Sequence, residues 1–132
     1  MEENTKNYVL DASYILNYLL PDEQWEAVMG FFQKHNERKI NLISSTLLLF
    51  EVANSLRYAV KTKRINQEFA HKLLLRLTDL SIKLIEIDIH KALDLAFEHN
   101  ISVYDAAYIA LARQEKLPLL TLDKQLQKII IQ

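Results

Sequence analysis

No cysteine and a single glycine, Gly30, occur among the 132 residues of this chain, together with only two prolines. Without cysteine there is no disulfide, no thiolate metal site and no cysteine nucleophile, which fits a reducing interior. One glycine excludes a P-loop and a dinucleotide-binding loop, because each needs several glycines to bring backbone close to phosphate. It also implies short, tight connections and much helix. No uncharged run reaches the roughly 18 residues that a membrane span requires. The opening MEENTKN is acidic and polar, unlike the basic start of a secretion signal. A cytoplasmic protein with no membrane association is the expectation.

What is present suffices for one domain over residues 1–132. Half of the residues are apolar, and a chain of this length buries roughly two thirds of its unfolded surface. Charge is nearly balanced, with 16 basic and 17 acidic side chains. The total therefore neither demands nor excludes a polyanionic partner. If four of the acids are covered by a metal ion, the remaining surface turns mildly basic and could accept a nucleic acid.

Short apolar runs alternate with helical spacing. Tyr8–Leu10 predicts a buried strand, followed by a helix over Ala12–Leu20 that Pro21 ends. The next helix is predicted over Asp22–Asn36, with Trp25, Val28, Met29 and Phe32 at helical spacing, and Ile40–Ile43 predicts a second strand. Ser45 or Thr46 is positioned to cap a helix reaching Lys63, and Asn66 one reaching Asp79. Lys83–Ile87 predicts a third strand; Asp88 then caps a helix over Ile89–Glu98, and another covers Val103–Gln114. Leu119–Leu122 predicts a fourth strand, a short helix starts at Asp123, and Ile129–Ile131 predicts a final edge strand. Strands separated by helices imply right-handed crossovers and a parallel sheet covered on both faces. The expectation is an α/β fold whose central parallel sheet has four or five strands.

Asp11 and Asp123 each directly follow a predicted strand, and Asp105 lies in the first turn of a predicted helix. Sites in open parallel sheets assemble beyond the carboxyl ends of the strands. Three aspartates so placed point to a shared acidic cluster, and clustered carboxylates mostly hold a hard divalent cation such as Mg²⁺ or Mn²⁺. Each also has a bland reading. Asp11 and Asp123 stand where helix caps stabilise by about 1 kcal/mol, and Ser102 with Asp105 resembles a capping box. Glu51 separates the readings better. Leu49, Val52, Ala53, Leu56, Ala59 and Val60 form the apolar stripe of its helix, while Glu51, Asn54, Ser55, Tyr58 and Thr62 fall together opposite. One carboxylate amid small and hydrogen-bonding groups suits either the wall of a polar cleft or an ordinary wet face. His35, His71, His90 and His99 show no ligand or catalytic spacing and read as surface or helix residues. Arg57, Lys61, Lys63 and Arg64 crowd the end of the Glu51 helix. They suit the negative end of the helix dipole, and alternatively a phosphate track for a substrate.

The segments VLDASYILNYLL, FEVANSL, and YDAAYIALA followed by LPLLTLD resemble the PIN-domain nucleases, most closely the VapC-like toxins of bacterial and archaeal toxin–antitoxin pairs. The likeness covers nearly the whole chain. It implies a three-layer α/β/α PIN-like (RNase H-like) fold. It also implies an acidic quartet, Asp11, Glu51, Asp105 and Asp123, that is both catalytic and metal-binding, with Ser13 and Thr121 helping to order the site. The activity implied is a metal-dependent endoribonuclease using Mg²⁺ or Mn²⁺ on an RNA substrate. Such relatives usually form a homodimer and are silenced by a cognate antitoxin protein whose tail enters the cleft. Tyr14, Tyr18, Leu19, Trp25 and Phe32 read either as antitoxin contacts or as core. The chain departs from the pattern at Lys116, where many relatives have glycine. A non-catalytic PIN-like module that holds RNA or protein is the alternative, and the presence of all four acids disfavours it. A receiver domain would need an extra acidic pair near the first strand, and a haloacid-dehalogenase-type phosphatase would need aspartate where Ser13 stands.

Overall fold

The computed structural model describes residues 5–131. In chain order the elements are β1 (Lys6–Leu10), α1 (Ala12–Leu19), α2 (Glu26–Asn36), β2 (Ile40–Ser45), α3 (Leu48–Lys61) and α4 (Gln67–Asp79). They continue with β3 (Lys83–Ile85), α5 (Ile89–His99), α6 (Val103–Glu115), β4 (Leu119–Leu120) and α7 (Lys124–Ile131).

The four strands are all parallel and lie in the order β3-β2-β1-β4. From β1 the chain steps outward to β2 and then β3, and returns to set β4 on the free side of β1. The two directions of winding part between β1 and β4. A sheet of this kind opens a crevice at such a switch point, beyond the carboxyl ends of its strands. Val9 pairs with Ile43 on one side and Leu119 on the other, and both Val9 and Leu10 are fully buried. The α/β class with a parallel sheet is thus the one expected, with four strands.

Burial explains the helix order. Leu10, Ile15, Leu19, Phe32, Leu42, Leu48, Leu73, Ile109, Leu111 and Leu126 are fully buried and come from two strands and six helices. Each such side chain contributes roughly 1.5–3 kcal/mol when removed from water. On α6, every residue from Ala106 to Ala112 is buried, because the helix packs on α5, on β1, β2 and β4, and on α7. A helix apolar on all sides is the kind that sits inside a core. Tyr14, Leu19 and Phe32 are buried, and Tyr18 stacks on Phe32 with centroids 4.2 Å apart, so these belong to the core, whereas Trp25 is exposed. Among the described residues no helix is long and apolar enough to cross a membrane.

Four local expectations are corrected. Helix α2 starts at Glu26, not Asp22, because Arg64 ion-pairs with Asp22 and Glu23 while Asn17 Oδ1 takes the Trp25 N–H at 2.8 Å. Neither Ser45 nor Thr46 caps α3. Ser45 ends β2, its hydroxyl accepts the Leu47 N–H at 3.1 Å, and Leu47 precedes the helix without a side-chain cap. Strands β3 and β4 stop short, at Ile85 and Leu120. The segment Ile129–Ile131 belongs to α7, with Leu126 and Ile129 buried at helical spacing in place of an edge strand. The predicted caps at Asn66, Asp88 and Ser102 form, accepting from the N–H groups of Phe69, His90 and Asp105.

Candidate metal and active site

Asp11 follows β1 and caps α1; Asp123 follows β4 and caps α7. Glu51 and Asp105 lie in the first turns of α3 and α6. All four therefore stand at helix N-termini, where exposed N–H groups favour negative charge.

The Asp11 carboxylate, 4% exposed, is the most tightly held. Its Oδ1 accepts from Ser13 Oγ at 2.6 Å and from the Tyr14 N–H at 3.1 Å, while Oδ2 accepts from Thr121 Oγ1. The two hydroxyls are themselves anchored on the β4 side. Ser13 Oγ accepts the Leu122 N–H at 3.0 Å and Thr121 Oγ1 the Asp123 N–H at 3.1 Å. Both hydroxyls thus use their protons on Asp11 and their lone pairs on the opposite loop. Ser44 Oγ donates to the Leu10 carbonyl at 2.7 Å, fixing the end of β1 from the other neighbouring strand. Since a carboxylate offers about four lone-pair positions, Asp11 keeps acceptor capacity beyond its three donors.

Asp105 is not a cap. Ser102 fills that role, and among the described residues no reciprocal bond runs from the Ser102 N–H to the Asp105 carboxylate. Its pKa is raised, first by burial and then by the nearby Asp123 charge, with Ser102 opposing. Burial likewise raises Asp11 against its hydrogen bonds, and the Asp105 charge adds to this. Glu51 is raised by burial, with Tyr108 opposing and Asp105 and Asp11 adding to the rise. Asp11, Glu51 and Asp105 thus lie within one another's electrostatic reach, and Asp105 is also reached by the Asp123 charge.

A family model described as PIN domain matches residues 8–131. The chain belongs to the PIN-domain family. It is 32% identical over 123 residues to Ribonuclease VapC3 of Pyrobaculum aerophilum, across 89% of this chain and 90% of that protein. In fold it is similar to the crystal structure of PAE2754 from Pyrobaculum aerophilum, with a TM-score of 0.70 and 24% identity over 92% of this chain and 77% of that one. It is also similar to the Mycobacterium tuberculosis toxin VapC20, described as cleaving the sarcin-ricin loop, with a TM-score of 0.65 and 15% identity over 92% and 94% of the two chains.

In this PIN domain no three histidine, aspartate or glutamate side chains among the described residues are grouped closely enough to hold a metal ion. The donor chemistry nonetheless fits a hard cation. Glu51 Oε1 is buried with no hydrogen-bond partner, and the neighbouring carboxylates repel one another, a cost that a divalent cation relieves. Mg²⁺ in particular usually keeps several waters and takes one or two carboxylates directly, so it does not need a full protein cage.

Tyr108 went unnoticed in the sequence, although it stands one turn after Asp105 on the same helix face. Its hydroxyl is buried beside Glu51, and burial first, then the Glu51 carboxylate as acceptor and charge, then the Asp11 and Asp105 charges, push it far up. Asn17, 1% exposed within an apolar helix, was the other visible signal. The basic run does not form one stripe. Arg64 is paired with Asp22 and Glu23, Arg57 lines a groove between α3 and α4, and Lys61, the last residue of α3, and Lys63 just past it are exposed.

Proposed function

We propose that this chain is a metal-dependent endoribonuclease of the VapC toxin type, with Asp11, Glu51, Asp105 and Asp123 as its catalytic and metal-binding acids. The observation that carries this reading is Asp11 at the carboxyl end of β1, held by Ser13 and, from the β4 side, by Thr121, with the buried Glu51 Oε1 left without a hydrogen-bond partner. Membership of the PIN-domain family and 32% identity to a protein named as a ribonuclease support it.

Mg²⁺ or Mn²⁺, which Asp11, Glu51, Asp105 and Asp123 would hold, would supply Lewis acidity toward the phosphodiester and toward water. The protein side chains do the rest. Ser13 and Thr121 aim Asp11 by donating to its two oxygens, and their hydrogen bonds oppose the rise that burial causes. Ser102 fixes the turn that carries Asp105. Tyr108 shields Glu51 from bulk water. Arg57, Lys61, Lys63 and Arg64 remain candidates for contacts to RNA phosphates, with Arg64 the least free of them because Asp22 and Glu23 already pair with it.

The chain acts as a single domain in the cytoplasm, as a homodimer and with a cognate antitoxin protein. A surface suited to a second copy is the outer face of α5, where Ile89, Leu93 and Phe97 repeat every fourth residue and are exposed. Phe97→Glu should then yield a monomer in sedimentation, and an unchanged mass would reject that face.

The function is tested by incubating the purified protein with a mixed RNA pool, with and without Mn²⁺, and mapping the cut sites. Metal-dependent cutting that Asp105→Asn abolishes, with circular dichroism and melting little changed, is the expected result. Wild-type cutting by that variant would refute the assignment.

A further inference from the structure

A groove of about 670 Å³ leads away from the acidic site, and Ser13, Asn17, Trp25, Ser55, Tyr58 and Arg64 are among its lining residues. Ser13 links it to Asp11 through the 2.6 Å hydrogen bond. Two aromatic side chains lie along it in water, Trp25 at 59% and Tyr58 at 56% exposure. Among the described residues neither ring stacks on another, whereas Tyr8, Tyr14 and Tyr18 each pack on Phe31 or Phe32. Trp25 is the only tryptophan in the chain.

The backbone around Trp25 is fixed rather than loose. Tryptophan lacks the side-chain oxygen that makes a good helix cap, and no side chain caps α2. Asn17 accepts the Trp25 N–H at its Oδ1 and the Gln24 N–H at its carbonyl, both within 2.9 Å. Gln24 is held at φ 29. Arg64, just past α3, clamps Asp22 at 2.8 Å and Glu23 at 2.7 Å. The turn before Trp25 is therefore tied to α1 on one side and to the end of α3 on the other. The result is a large ring presented to solvent at the rim of a groove, where it adds nothing to the core.

We propose that this groove is a nucleobase subsite, in which Trp25 and Tyr58 provide stacking faces for a base of single-stranded RNA adjoining the nucleotide at the acids. The proposal rests on the nuclease reading and names how the same site engages its substrate. Single-stranded RNA is recognised through unstacked bases that lie on aromatic side chains and pair their edges with polar groups. The groove supplies both, with the Ser55 and Thr62 hydroxyls among its lining. Its one arginine is already neutralised by two carboxylates, so the groove suits an uncharged base better than a phosphate. The neighbouring groove between α3 and α4, lined by Leu56, Arg57, Val60, Gln67, His71 and Leu74 among others, has no tryptophan, tyrosine or phenylalanine ring in its lining.

The test uses the full chain in EDTA with 2′-O-methyl hexanucleotides, which resist cleavage, so that binding is read apart from metal and chemistry. Trp25 emission should change saturably with RNA. By anisotropy of a labelled oligonucleotide, Trp25→Ala and Tyr58→Ala should each weaken binding by about tenfold, the size of one lost base–aromatic stack, while Trp25→Phe keeps most of the affinity. An abasic residue moved along the oligonucleotide should cancel the emission change at one position only. Emission unmoved by any RNA, or alanine variants that bind as the wild type does, would overturn the subsite. Emission that answers to a peptide but not to RNA would overturn it too, giving the groove to a protein segment. The nuclease reading stands or falls separately, on the Asp105→Asn cleavage assay.

Discussion

Thr121 donates its hydroxyl to the Asp11 carboxylate across 110 residues of chain, and the same oxygen accepts the Asp123 N–H. One threonine thereby sets the relation between both strand-end aspartates. Thr121→Val keeps the shape and deletes the hydroxyl, leaving buried groups without their partner. It should cost about 1–3 kcal/mol of stability and slow RNA cleavage more than Thr121→Ser does. Melting curves and initial rates of the three proteins check this. Equal rates would remove Thr121 from the ordering of the site.

The distribution of glycine predicts two stabilising changes. Gly30 lies inside α2 with open space where a Cβ would stand, so Gly30→Ala should add about 0.5–1 kcal/mol. Lys116 ends α6 at φ 57, a left-handed position that penalises a Cβ, and Lys116→Gly should add about 1 kcal/mol. Chemical denaturation measures both. A loss of stability in either variant would mean that the position serves a contact beyond its backbone.

Burial and mutual repulsion push the Asp11, Glu51 and Asp105 carboxyls up from ordinary values of 3.8, 4.5 and 3.8. Above those ordinary values the unfolded chain releases protons that the folded chain retains. A raised folded pKa therefore contributes stability that is complete at low pH and is lost as pH rises through the folded value. In the metal-free protein these three groups should make stability fall from about pH 4 upward. Glu51→Gln or Asp105→Asn should flatten the fall, and saturating Mn²⁺ should remove most of it. Thermal melts at several pH values provide the check. An apo protein whose profile is unchanged by both substitutions would contradict the shared electrostatics.

Much of this was legible from the residues. Tyr8–Leu10 is an apolar run and Ile40–Ile43 is apolar apart from Asn41, and each strand formed where its run lay. Asp88 and Asn66 precede helices with side-chain oxygens free to cap, and both do. The start of α2 was not legible, because it depends on Arg64 reaching back 42 positions to Asp22 and on Asn17 capturing Trp25, neither of which is local. Ile129–Ile131 misled because three β-branched residues favour a strand, whereas packing of Leu126 and Ile129 chose a helix. His35 read as an ordinary helix residue, yet its Nδ1 accepts the Leu42 N–H at 3.2 Å and its Nε2 lies 2.7 Å from the Leu80 carbonyl, bridging β2 and the end of α4. Asp11 and Asp123 stood out by their places after strands, Asp105 by its place in the first turn of a helix and Glu51 by the polar face around it. What spacing could not reveal is that Asp11 is satisfied by two hydroxyls while Glu51 keeps an unpartnered oxygen.

The central claim is that Asp11, Glu51, Asp105 and Asp123 share one divalent cation. Titration of Mn²⁺ into the metal-free protein by calorimetry tests it most directly, alongside Asp11→Asn, Glu51→Gln, Asp105→Asn and Asp123→Asn. The wild type should bind Mn²⁺ at a saturable site, and each variant should bind at least about tenfold more weakly, since each removes a carboxylate worth on the order of 1.4 kcal/mol or more of binding. Wild-type Mn²⁺ affinity in all four variants, or no saturable binding at all, would contradict the account.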